Sequence, residues 1–300
     1  MIFVASLCIQ LSGGLGNQMF QYAVGRALSL DHRVNLAIDT WSGFVRDVEY
    51  RRSYQLSSLP INCNFVTPAD RLSLWLYRIV SRVSNPGLSL HRRIWFGDFY
   101  VESDFKYHQS LSGAHFDKRT WLIGYWQSHR YFERHKDLLC RELTPRPPVD
   151  KQFLELAEQI QSSDSVALGI RLYEESKTPQ AHAKDGQVKS VAQINQAIGR
   201  LIANRPNAKF FVFCTQRAKW FCELALPSNT VFVTAEDGYE DSIDCMWLLM
   251  RCRHHIFTNS SFYWWGAWLS EALHTNKSQF IYAADNFINE DGLCDHWHRF

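Results

Sequence analysis

Apolar positions along this chain alternate between short continuous runs and spacings of three and four residues, the first suited to buried strands and the second to helices. Phe3 to Leu11 is such a run, and Phe20, Ala23, Val24, Ala27 and Leu28 share one helical face. Between them stands Ser12-Gly13-Gly14-Leu15-Gly16-Asn17-Gln18-Met19-Phe20, so the pattern predicts a strand, a glycine turn and a helix. Arg33 to Asp39 reads as a second strand, with Asp39 near its C-terminal end. From about residue 40 to 120 the pattern is irregular, apart from one amphipathic helix with Leu72, Leu76, Ile79, Val80 and Val83 on a common face. Trp121 to Trp126 then looks like a buried strand.

Thr144-Pro145-Arg146-Pro147-Pro148-Val149-Asp150 reads as a stiff linker, because proline fixes φ and cannot donate. It suggests two domains, 1–148 and 149–300. Beyond it helix and strand patterns alternate. A helix carries Phe153, Leu156, Ala157 and Ile160, followed by the strand Val166–Ile170. A second helix has Val191, Ile194, Ile198, Leu201 and Ile202, followed by the strand Phe210–Phe213. A short helix near Trp220, the strand Val231–Val233, a helix around Met246 to Met250 and the strand His255–Phe257 come next. A helix from Phe262 and the strand Phe280–Tyr282 complete the series. Strands alternating with helices predict an α/β fold with a doubly wound parallel sheet, whose ligands gather at the strand C-termini.

Composition narrows the classes. With 46% hydrophobic and 21% charged residues the chain can bury a core. The eleven tryptophans suit either core packing or stacking on sugars, and most are expected in the core. A net charge of +2, from 32 basic and 30 acidic residues, gives no electrostatic case for nucleic acid. The local basic groups Arg51-Arg52 and His91-Arg92-Arg93 read first as solvated surface and second as weak attraction to an anionic membrane. The apolar N-terminus lacks the positive residues of a signal peptide, and no run reaches the ~18–20 apolar residues of a membrane span. The expected location is the cytoplasm, with peripheral contact at the inner membrane face as the variant. Eight scattered cysteines without a C-x-x-C pair fit buried free thiols in a reducing compartment. Neither Cys252 with His254 and His255 nor Asp295-His296-Trp297-His298 reads as a metal site.

Three stretches carry candidate chemistry. Helix-start amides at the glycine turn attract anions, although a plain βα turn has the same sequence needs. Gly14-x-Gly16-x-x-Met19 lacks the third glycine of a nicotinamide dinucleotide fingerprint, which demotes an oxidoreductase reading. Arg171, just past the strand ending at Ile170, is a planar donor matched to phosphate oxygens, or else a salt-bridging arginine. Glu174, Glu175 and Lys177 follow it, and Thr178 to Gln187, with His182, reads as a loop. At Thr258-Asn259-Ser260-Ser261-Phe262 a strand gives way to a helix, where two hydroxyls and helix-start amides form a phosphate site without a metal. Capping is expected to occupy one of the two serines.

Residues 12–23 and 259–269 closely resemble the signature motifs of bacterial α-1,2-fucosyltransferases, glycosyltransferase family 11, and Gly124-Tyr125-Trp126-Gln127-Ser128 with Tyr131-Phe132 resembles a third segment. The resemblance implies a glycosyltransferase-B fold: two Rossmann-like domains facing a central cleft, 1–148 on the acceptor side and 149–300 binding the GDP-sugar. It implies inverting, metal-independent transfer of L-fucose from GDP-β-L-fucose to the 2-hydroxyl of a terminal galactose, without a cofactor, in surface-polysaccharide assembly. Arg171 with Ser260 and Ser261 would then stabilise the departing β-phosphate, and Asn17 would orient a substrate. Gly14, Gly16, Gln18, His182, Asn259 and Phe262 would line the site. Glu174 is the candidate base ahead of Asp39, and Asp244 or Asp237 the candidate guanine partner. One departure stands out. The family's His-x-Arg-Arg-x-Asp segment is here Gly169-Ile170-Arg171-Leu172-Tyr173-Glu174, leaving Lys177 to replace the second arginine. That altered segment keeps open a non-catalytic GDP-sugar or glycan-binding protein of the same fold.

Overall fold

The computed structural model describes residues 6–45, 47–83, 90–94, 97–116, 118–173, 180, 188–275, 278–287 and 289–300. The chain divides into two compact units, Met1–Glu142 and Leu143–Phe300, with the proline-rich segment at the start of the second.

In the first unit the described elements are β1 (Ser6–Gln10), α1 (Leu15–His32), β2 (Asn35–Asp39), β3 (Asn64–Phe65), α2 (Pro68–Val83), β4 (His91–Ile94), β5 (Gly97–Val101), α3 (Gln109–Ser112), β6 (Arg119–Ile123) and α4 (Lys136–Leu143). The six strands form one sheet in the order β3-β2-β1-β6-β5-β4. All its pairs are parallel except β4 with β5. A central parallel strand is covered on both faces and therefore carries a continuous apolar run. Leu7, Cys8 and Ile9 of β1 are accordingly buried, and so are Phe20, Ala23, Val24, Ala27 and Leu28 of α1. The helix ends where Arg33 takes a left-handed conformation, φ 53°, and its amide bonds back to Leu30 O. A buried ion pair ties α4 to α1, because Arg26 and the Tyr22 hydroxyl both donate to the Glu142 carboxylate.

Among its described residues the irregular stretch of the sequence thus holds the strands β3, β4 and β5, the α-helices α2 and α3, and a 3-10 turn at Leu56–Ser58. Helix α2 forms as its spacing predicts, but the predicted apolar face is turned away from the sheet. Its buried residues are Ser73, Leu74 and Tyr77, while Leu72, Ile79 and Val80 are exposed. Tyr77 stacks on Phe99 of β5 at 4.2 Å between ring centroids, and the Trp121 indole donates to Ser73 Oγ at 3.0 Å. The strand expected over Trp121 to Trp126 stops at Ile123, because Gly124 (φ 152°) and Trp126 (φ 55°) turn the chain.

The second unit contains α5 (Lys151–Gln161), β7 (Ser165–Gly169), α6 (Val191–Asn204), β8 (Lys209–Phe213), β9 (Val231–Val233), α7 (Ser242–Leu249), β10 (His254–Phe257), α8 (Ser261–Leu273), β11 (Ile281–Ala283) and β12 (His298–Arg299). Its sheet runs β12-β11-β10-β7-β8-β9 with every pair parallel. Val166, Leu168, Phe210, Val212 and Ile256 pack against Ile194, Ile198 and Leu201 of α6. Helices start where side-chain acceptors meet their first amides: Asp150 for α5, a Ser190–Gln193 capping box for α6 and Asp241 for α7. The tryptophans of α8 are packing residues, with Trp264, Trp265 and Trp268 all fully buried.

None of the eight cysteines is disulfide-bonded, and five are buried, but Cys222 is exposed, which the expectation of buried thiols missed. His254 and His255, the first two residues of β10, are buried in the core. The His254 ring accepts from Phe280 N and meets Asp164, and His255 meets Cys252 O. No described helix is long and apolar enough to cross a membrane.

Candidate active site

Strand order locates the crevice in each sheet. In the second, the chain runs from β7 outward to β8 and β9, then crosses back to β10, β11 and β12. The switch point lies between the C-terminal ends of β7 and β10, where open α/β sheets bind ligands. Arg171 follows β7, and Asn259, Ser260 and Ser261 follow β10.

These residues are tied together. Thr258 N bonds to Gly169 O at 3.0 Å, and its hydroxyl accepts from Arg171 N at 2.7 Å, so the arginine leaves the sheet at a fixed point. Tyr173 adopts φ 58°, and its ring lies 4.7 Å from the Arg171 guanidinium carbon. Asn259 Nδ2 donates to the Tyr173 hydroxyl at 3.4 Å. Ser260 holds the N-cap position of α8, yet its hydroxyl accepts no helix amide. The expectation that capping would occupy a serine is therefore corrected at Ser260. A planar cation and a helix start lacking that side-chain cap share one strand-end edge, an arrangement suited to a diphosphate. Phe262 and Ser261 are half-buried in the first turn.

Gly169 stands where the resemblance expects histidine, and the structure gives a reason for the glycine. A Cβ there would lie 2.7 Å from Cδ1 of Tyr263, whose hydroxyl is held at 2.9 Å from Phe213 O and 3.2 Å from Ile170 O.

The other donor-side candidates are Asp244, Asp237, Glu174, Lys177 and His182. Asp244 lies in the first turn of α7, its amide bonded to Asp241, and burial, then Asp241 and Asp150, raises its carboxyl above the usual range. The Asp237 carboxylate is taken by Arg217 at 2.5 Å and the Thr234 hydroxyl at 2.6 Å. Glu174, Lys177 and His182 lie outside the described residues. Lys189, which no motif singled out, buries an ammonium against Asp285 and over the Phe300 ring at 5.6 Å.

In the first sheet the chain runs from β1 outward to β2 and β3 and returns from the opposite edge through β4, β5 and β6, so its switch point lies between β1 and β6. The glycine turn follows β1 there, and Gly124–Gln127 follows β6. Gly13 has φ 73°, and a Cβ on it would meet Asn17 Nδ2 at 2.5 Å. Asn17 Oδ1 accepts from Gln127 Nε2 at 2.7 Å. Gly14 is the N-cap of α1, and Gly16 is buried behind it. Gln18, fully buried, donates to Gly13 O (2.9 Å) and Ser53 O (2.8 Å) and accepts from Gln55 N (2.9 Å). Gln21 joins Ser12 to Gly124 O. Arg71 and the amides of Trp41 and Ser42 all bond to Asp39 Oδ1, while Oδ2 is buried with no hydrogen-bond partner among the described residues.

Two residues reach this edge that sequence reading did not assign to it. The Arg52 side chain lies beside Gly14, where a Cβ would be 3.9 Å from its Nε, although the sequence placed Arg52 on a solvated surface. Glu102 accepts from Tyr125 N (2.6 Å) and Trp126 N (3.0 Å), holding the turn that carries Gln127. Burial raises its carboxyl, while those two amides act against the rise. Only the resemblance of residues 124–128 to a family segment pointed towards this turn.

Comparison with known proteins agrees with the architecture. Residues 55–299 match the profile described as Glycosyl transferase family 11. The chain is 32% identical over 266 residues to an Alpha-1,2-colitosyltransferase of Escherichia coli, covering 87% of this chain and 86% of the relative. It is 25% identical over 276 residues to the O-antigen biosynthesis glycosyltransferase WbnK of Escherichia coli, covering 87% and 89%. Among solved structures, NodZ alpha-1,6-fucosyltransferase soaked with GDP-fucose superposes with a TM-score of 0.51 at 14% identity, over 88% of this chain and 92% of that one. The fucosyltransferase NodZ from Bradyrhizobium gives 0.50 at 16%, over 88% and 91%. The fold is that of the glycosyltransferase-B class, with a Rossmann-like sheet in each unit.

Proposed function

The chain belongs to glycosyl transferase family 11, and from that premise we propose that it transfers L-fucose, with inversion, from GDP-β-L-fucose to the 2-hydroxyl of a terminal galactose in a glycan. The observation that carries this reading is Arg171 pinned by Thr258 beside the start of α8, at the switch point of the second sheet. In the reaction the acceptor oxygen bonds to C1 of the sugar as the C1–O bond to the β-phosphate breaks. The electron pair leaves with GDP, and the acceptor proton passes to a base. Arg171 and the helix start meet the charge that builds on the phosphate, as preorganised donors. The sugar passes through an oxocarbenium-like state. Glu174 is the proposed base, Lys177 the second cation, and Asn17, held by Gln127, the residue that orients a substrate. No cofactor has a role in this scheme, and turnover is expected to persist in EDTA.

A second reading concerns the donor alone. The 32%-identical relative is named a colitosyltransferase, and colitose is fucose without its 3-hydroxyl. The name of WbnK supports a place in surface-polysaccharide assembly, and the proposed location is the cytoplasm, with peripheral contact at the inner membrane face as the variant. Incubation with GDP-fucose and, separately, GDP-colitose, each with a panel of galactosides, tests both readings through GDP release and product mass. Fucosyl product supports the first and colitosyl product the second. Stabilisation by GDP with neither donor consumed would identify a non-catalytic binder instead.

A further inference from the structure

The turn that follows β6 carries features that packing alone does not ask for. Trp126 takes a left-handed conformation, φ 55°, and the partly buried Glu102 holds it there by accepting from Tyr125 N and Trp126 N. Gln127, 5% exposed, donates from Nε2 to Asn17 Oδ1 at 2.7 Å. Its other end, Oε1, is buried with no hydrogen-bond partner among the described residues, and so is Nε1 of the Trp126 indole. Leaving an amide oxygen unpaired in the interior costs free energy, which an apolar side chain of similar length would avoid. Strained backbone and unpaired buried polar atoms gather where a site requires them. The nitrogen of Gln127 is therefore the end with a task, and the task is to hold Asn17.

A side-chain amide has an accepting end and a donating end that are nearly the same in shape. A half-turn about its last bond exchanges them, so a partner that only donates decides which end it meets. Gln127 reaches Asn17 across the switch point between β1 and β6, and it takes the oxygen. We propose that Gln127 is a positioning residue: by committing the Asn17 carbonyl, it makes Asn17 meet the substrate through Nδ2, as a donor to a substrate oxygen. This role presupposes the sugar transfer proposed above and gives the contact a polarity. The recognised group is an oxygen that accepts, whether of a ring, a glycosidic bond or a hydroxyl.

Steady-state kinetics of the full chain, with the donor that the wild type consumes and a galactoside acceptor, test this. When ionised, the side chain introduced by Gln127→Glu can only accept, so the Asn17 amide turns over and meets the substrate with its oxygen. Its kcat/KM at pH 8 should fall by at least about tenfold. Activity relative to wild type should recover as pH falls and that carboxyl takes up a proton, because its O–H then donates to Asn17 Oδ1. Gln127→Met neither donates nor accepts. It should lie between the two in kcat/KM, melt within about 3 °C of the wild type, and have no further effect in an Asn17→Ala background. Should Gln127→Glu fail to fold, Gln127→Met alone carries the expectation. Wild-type activity of Gln127→Glu at pH 8 would show Gln127 accepting from Asn17 and overturn the proposal. So would a Gln127→Met loss that adds in full to that of Asn17→Ala. Should the wild type consume neither GDP-fucose nor GDP-colitose, the transfer reading fails, and saturation-transfer resonance of methyl β-galactoside and GDP-fucose replaces kinetics. A ligand signal weakened in both Asn17→Asp and Gln127→Glu would keep the assignment, and unchanged signals or none in the wild type would overturn it.

Discussion

The Tyr263 ring lies against Gly169 in the space a side chain would need. Any larger residue at that end of β7 must displace the ring or the strand. Gly169→Ala should cost about 1–3 kcal/mol, as overpacking does. Gly169→Ala combined with Tyr263→Ala should be less destabilising than the sum of the two singles, because removing the ring relieves the clash. Chemical denaturation of the four proteins gives the coupling, and strict additivity would refute the steric explanation.

Ser260 and Asp241 occupy the same position on α8 and α7 but do different work. Asp241 accepts from Ile243 N at 2.7 Å and Asp244 N at 3.0 Å, so Asp241→Ala should lose about 1 kcal/mol. Ser260 caps nothing with its hydroxyl. Ser260→Ala should therefore leave stability within about 0.5 kcal/mol while lowering sugar transfer. A melting point that falls as far as that of Asp241→Ala would mark Ser260 as structural.

Arg171 is held to the sheet through its backbone amide, so its side chain can be removed without loosening β7. Arg171→Ala should lower turnover by roughly 10²–10³ and leave the far-ultraviolet dichroism unchanged. Arg171→Lys should recover only part of the loss, because an ammonium lacks the planar pair of donors. Near wild-type turnover in Arg171→Ala would sink the proposed mechanism.

His254 and His255 give the fold an acid-side limit. Burial lowers His254 from 6.5 to about 4, with the Asp164 carboxylate acting against the shift, and lowers His255 from 6.5 to about 3. Below pH 6.5 the unfolded chain takes up protons that the folded chain refuses. Stability should be full above that pH, fall as pH drops towards about 4 for His254, and continue to fall towards about 3 for His255. The total is a few kcal/mol in order of magnitude. Asp164 is held below the usual carboxylate range by Arg205 and His254 despite burial, so its own contribution is lost only at lower pH. Urea denaturation across this range measures the slope, and a flat profile between about pH 6.5 and 4.5 would contradict it.

The strands and helices that carry Arg171 and Asn17 were legible because each lies within one periodic segment next to a glycine or an N-cap cluster. The sides of the crevices were not. Strand order decides that β7 neighbours β10 and that β1 neighbours β6, and strand order depends on contacts between segments far apart in sequence. For the same reason Glu102, Arg52 and Lys189 escaped notice. Each acts on a partner at least 23 residues away: Glu102 on Tyr125, Arg52 beside Gly14 and Lys189 on Asp285. Periodicity found the apolar face of α2 without telling which way it points. Tyr77 could stack on Phe99, and Ser73 could satisfy the Trp121 indole. The mixed face therefore took the inside, and the purely apolar one was left out.

Gln18 and Gln21 have a consequence for the glycine turn. Between them they bond to Ser12, Gly13, Ser53, Gln55 and Gly124, and both are fully buried. Hydrogen exchange around Gly13 should be slow for a glycine-rich segment, because opening it means breaking several shielded amide bonds together. In the proposed reaction, a sugar bound there would meet a surface whose conformational freedom was given up at folding, so little of its binding energy would go into ordering the protein.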